Sequence, residues 1–271
     1  MKGQIRMADF KVVRYKVRIG ETHHGPNRPF SAVFLSDLHN VSYGEKNCRL
    51  LSEIRNEKPE VVFVGGDMLT AEAEPQMEAA VELMDELTRK YPVFYGNGNH
   101  EHRMKINPAR YGDHYEQYTE RIRSLGVNLL ENTGKTIEIC GLKLRIWGYE
   151  LPAEYFRRRS RRTLESSQIE ETLGKPEEKL FHVLLAHHPA FFEAYAGWGA
   201  DLTLSGHLHG GIVRLPFLGG VISPQMRIFP KYDRGLYKLD DKKLIVSAGL
   251  GSHTIPIRIN NPAELVVIDF V

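Results

Sequence analysis

The chain has 271 residues, 42% hydrophobic and 26% charged, with a formal net charge of +2. It is long enough to bury a sizeable core without staples, and its mild charge tolerates a phosphorylated ligand without pointing to nucleic acid. The two cysteines, Cys48 and Cys140, form no CxxC pair, which excludes a disulfide-dense scaffold and a thiolate zinc site, whereas 12 histidines supply many potential imidazole ligands.

In chain order, Phe10 to Ile19 alternates and is rich in β-branched residues, which predicts a strand. The N-terminus before it carries no apolar signal core. No stretch reaches the roughly 18 apolar residues of a membrane span, so a cytoplasmic location is expected. A short apolar run, Ser31 to Ser36, ends on Asp37. Asn47 to Lys58 has the apolar spacing of a helix closed by Pro59, and Val61 to Val64 then runs into Gly65, Gly66 and Asp67. A second helix is predicted over Pro75 to Lys90, and a third apolar run, Pro92 to Tyr95, ends in Gly96, Asn97, Gly98, Asn99 and His100. Residues 37, 67 and 99 lie 30 and 32 apart, about one strand–helix–strand unit each.

The second half is richer in strands. Thr136 to Ile139 and Lys143 to Tyr149 read as a hairpin around Gly141. Phe181 to Ala186 ends at His187, and Leu202 to Leu204 ends at Ser205, Gly206 and His207. Further strands are predicted over Gly235 to Leu239, Lys243 to Ser247 and Ala263 to Phe270. Glu154 to Lys179 reads as a helical excursion on the surface, and Leu215 to Arg234 as an irregular loop beside the site. No low-complexity linker divides the halves, so one domain over residues 1–271, built on two sheets, is expected.

Five polar motifs sit at strand ends: Asp37-Leu38-His39, Gly66-Asp67, Gly98-Asn99-His100-Glu101, His187-His188-Pro189 and Gly206-His207-Leu208-His209. In extended chain a period of two would put Asp37 and His39 on one side, able to grip one ion, and likewise His207 and His209. The glycines before Asp67 allow a sharp turn, and Asn99 offers a neutral carbonyl oxygen. Each motif alone is common. Together, at the carboxyl ends of successive apolar strands, they gather polar groups that would be costly to bury without partners, and metal ions would satisfy many at once. The donors are nitrogen and oxygen, which suits Mn, Fe or Zn.

This order of motifs resembles that of the calcineurin-like metallophosphoesterases, over residues 37–209. His209-Gly210-Gly211, Val213-Arg214-Leu215-Pro216 and Ser247-Ala248-Gly249-Leu250-Gly251 make it similar to the bacterial YkuE/YaeI-like subgroup. Leu208 and Ile212 depart from that subgroup's common Thr and Gln, and its members often carry an N-terminal membrane or export segment. The resemblance implies an α/β fold, a sandwich of two mixed β-sheets flanked by helices. It implies Asp37, His39 and His209 on one metal ion, Asn99, His187 and His207 on the other, and Asp67 bridging both. His188 is the alternative to His187. His100 would act on the phosphate without binding metal, and Asn99 and His100 would contact substrate. Mn or Fe is favoured, Zn less so.

Two such ions, about 3.5–4 Å apart, yield a bridging hydroxide near neutral pH that attacks a phosphate ester. The expected activity is therefore hydrolysis of a phosphate ester, a diester before a monoester, on a small or lipid-linked substrate. A monoesterase, a protein phosphatase or a non-catalytic metal-binding scaffold are the alternatives. His102 and His114 are read mainly as surface residues with a share in the pocket, and His23, His24 and His182 as structural. His253 stays open. Arg157, Arg158, Arg159, Arg161 and Arg162 form either a solvated helix face or a basic flap for an anionic substrate or membrane surface. No aromatic-and-basic pattern for nucleic acid stands out.

Overall fold

A computed structural model describes residues 10–20, 23–157, 160, 162–211, 213–215, 219–222, 230–251 and 258–271, with backbone alone at 213–215 and 219–222. His253, Ile212, Arg158, Arg159 and Arg161 lie outside the described residues.

Strands β1 (Lys11–Val17), β2 (Phe30–Leu35), β3 (Val61–Val64) and β4 (Val93–Gly96) fall where the apolar runs predict them. Between them lie helices α1 (Cys48–Glu57) and α2 (Glu78–Thr88). Helices α3 (Asn99–Ile106), α4 (Pro108–Tyr111) and α5 (His114–Ser124) then lead to β5 (Asn128–Leu130). Strands β6 (Thr133–Ile139) and β7 (Leu142–Gly148) form the expected hairpin. Helix α6 (Ser166–Leu173), β8 (Phe181–Leu185), helix α7 (Phe192–Trp198) and β9 (Leu202–Ser205) follow. The chain closes with β10 (Val213–Leu215), β11 (Gly219–Ile222), β12 (Gly235–Leu239), β13 (Lys242–Val246) and β14 (Glu264–Phe270).

One six-stranded sheet has the order β1-β14-β2-β3-β4-β5, the other β12-β13-β9-β8-β7-β6. Both are mixed: β2, β3, β4 and β5 run parallel, as do β13, β9, β8 and β7, with antiparallel pairings at β14–β2, β12–β13 and β6–β7. The strands explain the uninterrupted apolar runs, because both faces are covered. Alternate residues of β2 and β3, Ala32, Phe34, Val61 and Phe63, meet Leu144, Ile146, Val183 and Leu185 of the other sheet in a shared core. Their neighbours Val33, Leu35, Val62 and Val64 pack against Leu50, Ile54, Leu83 and Met84 of α1 and α2. On the far face, Trp147 and Leu184 pack against Ile169 of α6 and Tyr195 and Trp198 of α7. The result is an α/β sandwich of two mixed sheets flanked by helices.

Two expectations need correction. The segment from Glu154 to Lys179 is not simply a surface helix. Its short α6 is tied down by buried Tyr155, Leu164, Ile169 and Leu173, and a 3-10 turn, Ala153–Phe156, reaches the cleft. The stretch from Leu215 to Arg234 is not wholly irregular, since β10 and β11 pair as an antiparallel hairpin. Helices α3, α4, α5 and α7 have no counterpart in the sequence reading, and α3 opens inside a motif that reads as a loop.

Candidate metal centre

The parallel strands β2, β3 and β4 of one sheet and β8, β9 and β13 of the other end at a common edge, and every predicted site residue follows one of the first five. There Asp37, His39, Asp67, Asn99, His100, His187, His207 and His209 are all buried, from 0% exposed at Asp37 to 9% at His207. So much buried polarity is costly unless partners satisfy it.

The local backbone that brings them together is not the extended chain expected for Asp37-x-His39 and His207-x-His209. Asp37 (φ 53°), His39 (φ 48°), Asp67 (φ 53°), His207 (φ 72°) and His209 (φ 50°) are all left-handed. Tight turns, not a period of two, aim these side chains. Each such non-glycine residue costs about 1–3 kcal/mol and persists only where its surroundings hold it. Backbone contacts do so: Asp37 N donates to Gly66 O at 2.9 Å, His39 N to Asp67 O at 3.1 Å, and Gly251 N to Asp37 O at 2.6 Å. Gly98 and Gly206 allow close approaches, since a Cβ at either would collide with the carboxylate of Asp67 or Asp37.

Among the described residues, three overlapping groups bring ligand atoms within 4.8 Å of one another: Asp37, His39 and His209; Asp67, His187 and His207; and His39, Asp67 and His100. Asp67 Oδ2 lies between the first two groups, 3.1 Å from His187 Nε2 and 3.9 Å from His39 Nε2. Asp67 Oδ1 accepts a hydrogen bond from His100 N at 2.8 Å. Asp37 accepts from His207 N at 3.0 Å and from the Ser36 hydroxyl at 2.5 Å, and its Oδ1 is 3.4 Å from His209 Nε2.

Ring nitrogens separate ligand-type from donor-type histidines. His187 Nδ1 lies 2.7 Å from Gly65 O and His209 Nδ1 lies 3.2 Å from Gly251 O. A carbonyl can only accept, so Nδ1 of His187 carries a proton and Nε2 is the nitrogen left for a metal ion, which would take the place of any proton there; His209 Nδ1 also lies 3.4 Å from the Arg258 guanidinium. The Nε2 atoms of His39 and His209 face each other at 3.2 Å. Asn99 Oδ1 is buried without a hydrogen-bond partner, and His187 Nε2 faces the Asp67 carboxylate at 3.1 Å. A cation fits this set of converging nitrogen and oxygen atoms. His100 is the reverse case: its Nδ1 accepts from Ala71 N at 2.8 Å, so the neutral ring carries its proton on Nε2, 4.0 Å from Asp67 Oδ2. His188 Nδ1 is likewise taken, by Ala190 N at 3.2 Å, and His188 is in none of the three groups.

Charge follows the same plan. Burial holds His39 well below its usual value despite Asp67 and Asp37, and burial with the neighbouring His188 and His187 does the same to His207, leaving both rings neutral. Burial also opposes a charge on His187, but Asp67 and Asp37 outweigh it and push His187 up to about 10. That position demands a positive partner, proton or metal.

Three contributors go beyond the roles read from sequence, Glu101 being named there only as the end of its motif. Glu101, 0% exposed, accepts from the backbone N–H groups of Asp67 (2.9 Å), Met68 (2.8 Å), Leu69 (3.4 Å) and Gly98 (3.1 Å), and from Tyr95 OH (2.8 Å). It locks the turns after β3 and β4 together, and its place three residues after Gly98 at a helix start is a capping signal that could have revealed it. Arg258, whose guanidinium donates to Gly249 O and Gly251 O, braces the loop behind His209, and nothing in its neighbourhood of the sequence marks it. Phe156 stands over the centre, its ring centroid 5.1 Å from that of His207, on a segment with no motif.

Of the other histidines, His102 lines a crevice beside the centre and His114 sits half-buried at the start of α5. His23 pairs with Asp201 at 3.3 Å, and His182 accepts from Trp147 Nε1 at 3.0 Å, both away from the cleft. His24 is exposed, and so are Arg157 and Arg162. No helix among the described residues is long and apolar enough to cross a membrane.

Residues 30–211 match the family described as calcineurin-like phosphoesterase. The chain is 26% identical over 242 residues to the uncharacterized metallophosphoesterase YkuE of Bacillus subtilis, covering 88% of this chain and 78% of that one. It is 23% identical over 266 residues to the phosphodiesterase YaeI of Escherichia coli, covering 97% and 88%. An uncharacterized metallophosphoesterase of Helicobacter pylori is 27% identical over 244 residues, 88% of this chain but 59% of that protein. With the ordered motifs gathered at one sheet edge, the chain belongs to the calcineurin-like phosphoesterases, metal-dependent hydrolases of phosphoric esters.

Proposed function

We propose that the protein hydrolyses a phosphodiester at a centre of two transition-metal ions. Asp37, His39 and His209 would hold one, Asn99, His187 and His207 the other, and Asp67 both. The observation that carries this is the convergence of the Nε2 atoms of His39, His187 and His209 on the carboxylates of Asp37 and Asp67. The donor set of nitrogen and oxygen suits Mn or Fe, with Zn as the lesser choice. Such an ion pair supplies an acidified water and positive charge for the phosphoryl oxygens.

The chain's own residues do the rest. His100, held by Ala71 N with its Nε2 proton toward the centre, donates to a phosphoryl oxygen or to the departing alkoxide. Ser36 and the His207 N–H keep Asp37 aimed, and Glu101 fixes the two turns that carry Asp67 and Asn99. The preference for a diester rests on the E. coli relative, called a phosphodiesterase. Exposed Arg157 and Arg162 leave a lipid-linked substrate and peripheral membrane contact within the proposal.

The test is a substrate panel after reconstitution with Mn²⁺, comparing nitrophenyl mono- and diesters and a phosphopeptide. Faster hydrolysis of diesters is expected. A monoester preference would replace the diester reading, and no hydrolysis by a fully loaded protein would remove the catalytic one.

A further inference from the structure

The turn that carries His209 is held from outside. His209, Gly210 and Gly211 are buried and adopt φ of 50°, 65° and 87°, three left-handed residues in succession. The turn belongs to no strand, so its carbonyls have no ladder to pair with, and a buried carbonyl left unpaired is costly. Glycine takes such backbone freely, but a histidine persists there only where its surroundings hold it. One side chain serves two of these carbonyls. Asn261, 52 positions beyond His209 and 1% exposed, donates from Nδ2 to His209 O at 2.5 Å and to Gly211 O at 2.6 Å. That uses both amide protons, and Oδ1 accepts from Arg234 Nη1 at 3.4 Å, which sets the orientation of the amide. A Cβ on Gly210 would lie 2.6 Å from the same Oδ1, so the turn packs directly on this amide.

Arg234 links this grip to a second loop. Its Nε lies 3.5 Å from Glu264 Oε2, and Glu264 Oε1 accepts from Ala248 N at 2.8 Å. The loop that begins at Ala248 backs Asp37: Leu250 N donates to Ser36 O at 3.0 Å and Gly251 N to Asp37 O at 2.6 Å. Asn261 and Glu264, three residues apart at the entry to β14, thus brace the turn of His209 and the loop behind Asp37. Both belong to the metal position assigned to Asp37, His39 and His209. The ligands assigned to the other position have different supports. His187 Nδ1 meets Gly65 O, Asn99 follows the turn that Glu101 locks, and His207 N donates to Asp37.

We propose that Asn261 is a positioning residue for one metal position alone. By fixing the His209 backbone it keeps Nε2 opposed to His39 Nε2 and 3.4 Å from Asp37 Oδ1. The proposal rests on the two-ion reading above and adds what makes one of the two positions bind. Asn261 acts through the His209 carbonyl, not on ion or substrate. Partners of this kind behind a metal ligand typically carry about 10- to 100-fold in metal affinity.

The experiment is Mn²⁺ binding by equilibrium dialysis, with and without Asn261→Ala, in the wild type and in two variants that each keep one ion. In His187→Ala the remaining ion is the one at Asp37, His39 and His209, and Asn261→Ala should weaken it about 10- to 100-fold. In His209→Ala the remaining ion is the other one, and Asn261→Ala should change its affinity by less than about 3-fold. A side chain that only stabilised the fold would weaken both alike. Metal-free melting, followed by circular dichroism, establishes that each variant is folded. If Asn261→Ala does not fold, Arg234→Ala, which removes the partner of the same amide at a side chain 26% exposed, is read in its place and should weaken the same ion alone. Equal weakening in the two backgrounds, weakening only in His209→Ala, or none in either would overturn the proposal and leave the two-ion reading standing. A wild type that binds one ion would overturn that reading itself.

Discussion

Replacing Glu101 by Gln changes one buried atom and should unsettle both turns of the centre. Oε2 accepts from Asp67 N and Gly98 N, and Oε1 from Met68 N, Leu69 N and Tyr95 OH. Whichever oxygen becomes an amide nitrogen, two backbone donors then face a donor, while the Tyr95 hydroxyl can turn to accept. A buried donor left unpaired costs about 1–3 kcal/mol, so two cost about 2–6 kcal/mol. Part is returned, because burial and the neighbouring Asp67 push the Glu101 carboxyl up to about 7, a sign that its charge is itself costly there. A net loss of about 2–4 kcal/mol follows, a large share of the roughly 5–15 kcal/mol that a domain has. Denaturant unfolding of wild type and Glu101→Gln, at equal and saturating Mn²⁺, reads the loss directly. Elemental analysis of the same samples reads whether Asp67 and Asn99 still hold their ion. A loss under about 1 kcal/mol with full metal content would refute the idea that this carboxylate organises the centre.

Other expectations follow from the same geometry. His100→Asn should keep its metal and lose about 10²–10⁴ in turnover, less for nitrophenyl than for alkyl leaving groups; equal losses for both would restrict His100 to holding phosphate. His187→Ala should lose one ion per chain and His188→Ala none, since His187 Nε2 lies 3.1 Å from Asp67 Oδ2 whereas His188 Nδ1 accepts from Ala190 N; the reverse outcome in elemental analysis would exchange their roles. Metal affinity should rise with pH. His187, pushed up to about 10, holds a proton at neutral pH that an ion must displace, so affinity should grow about tenfold per unit between pH 6 and 8.5. The neutral His39 and His207 add nothing to that slope, and a flat profile in a chelator competition would contradict the assignment.

The sequence was most legible where one physical signal dominated. Val61–Val64 and Phe181–Leu185 are buried on both faces, so uninterrupted apolar runs marked them almost to the residue. The site residues could be placed because each follows such a run. How the turns aim them could not. Asp37, His39, His207 and His209 adopt left-handed backbone that the alternation of the motifs does not announce, and at Asp37 the close approach of Gly206, Gly249 and Gly251 holds it there. Helix α5 was missed because Tyr115, Tyr118 and Ile122 make a thin apolar stripe among charged neighbours. Phe156 and Arg258 come from segments remote in sequence and reach the centre only through tertiary packing, which no local pattern encodes.

The central claim is two ions sharing one carboxylate, and metal stoichiometry tests it most directly. Protein stripped with chelator, reconstituted with Mn²⁺ and freed of excess should retain two ions per chain. Asp67→Ala should lose most of both, because Asp67 Oδ2 stands between the His187 and His39 sides of the centre. One ion in the wild type, or a variant that keeps both, would contradict the account.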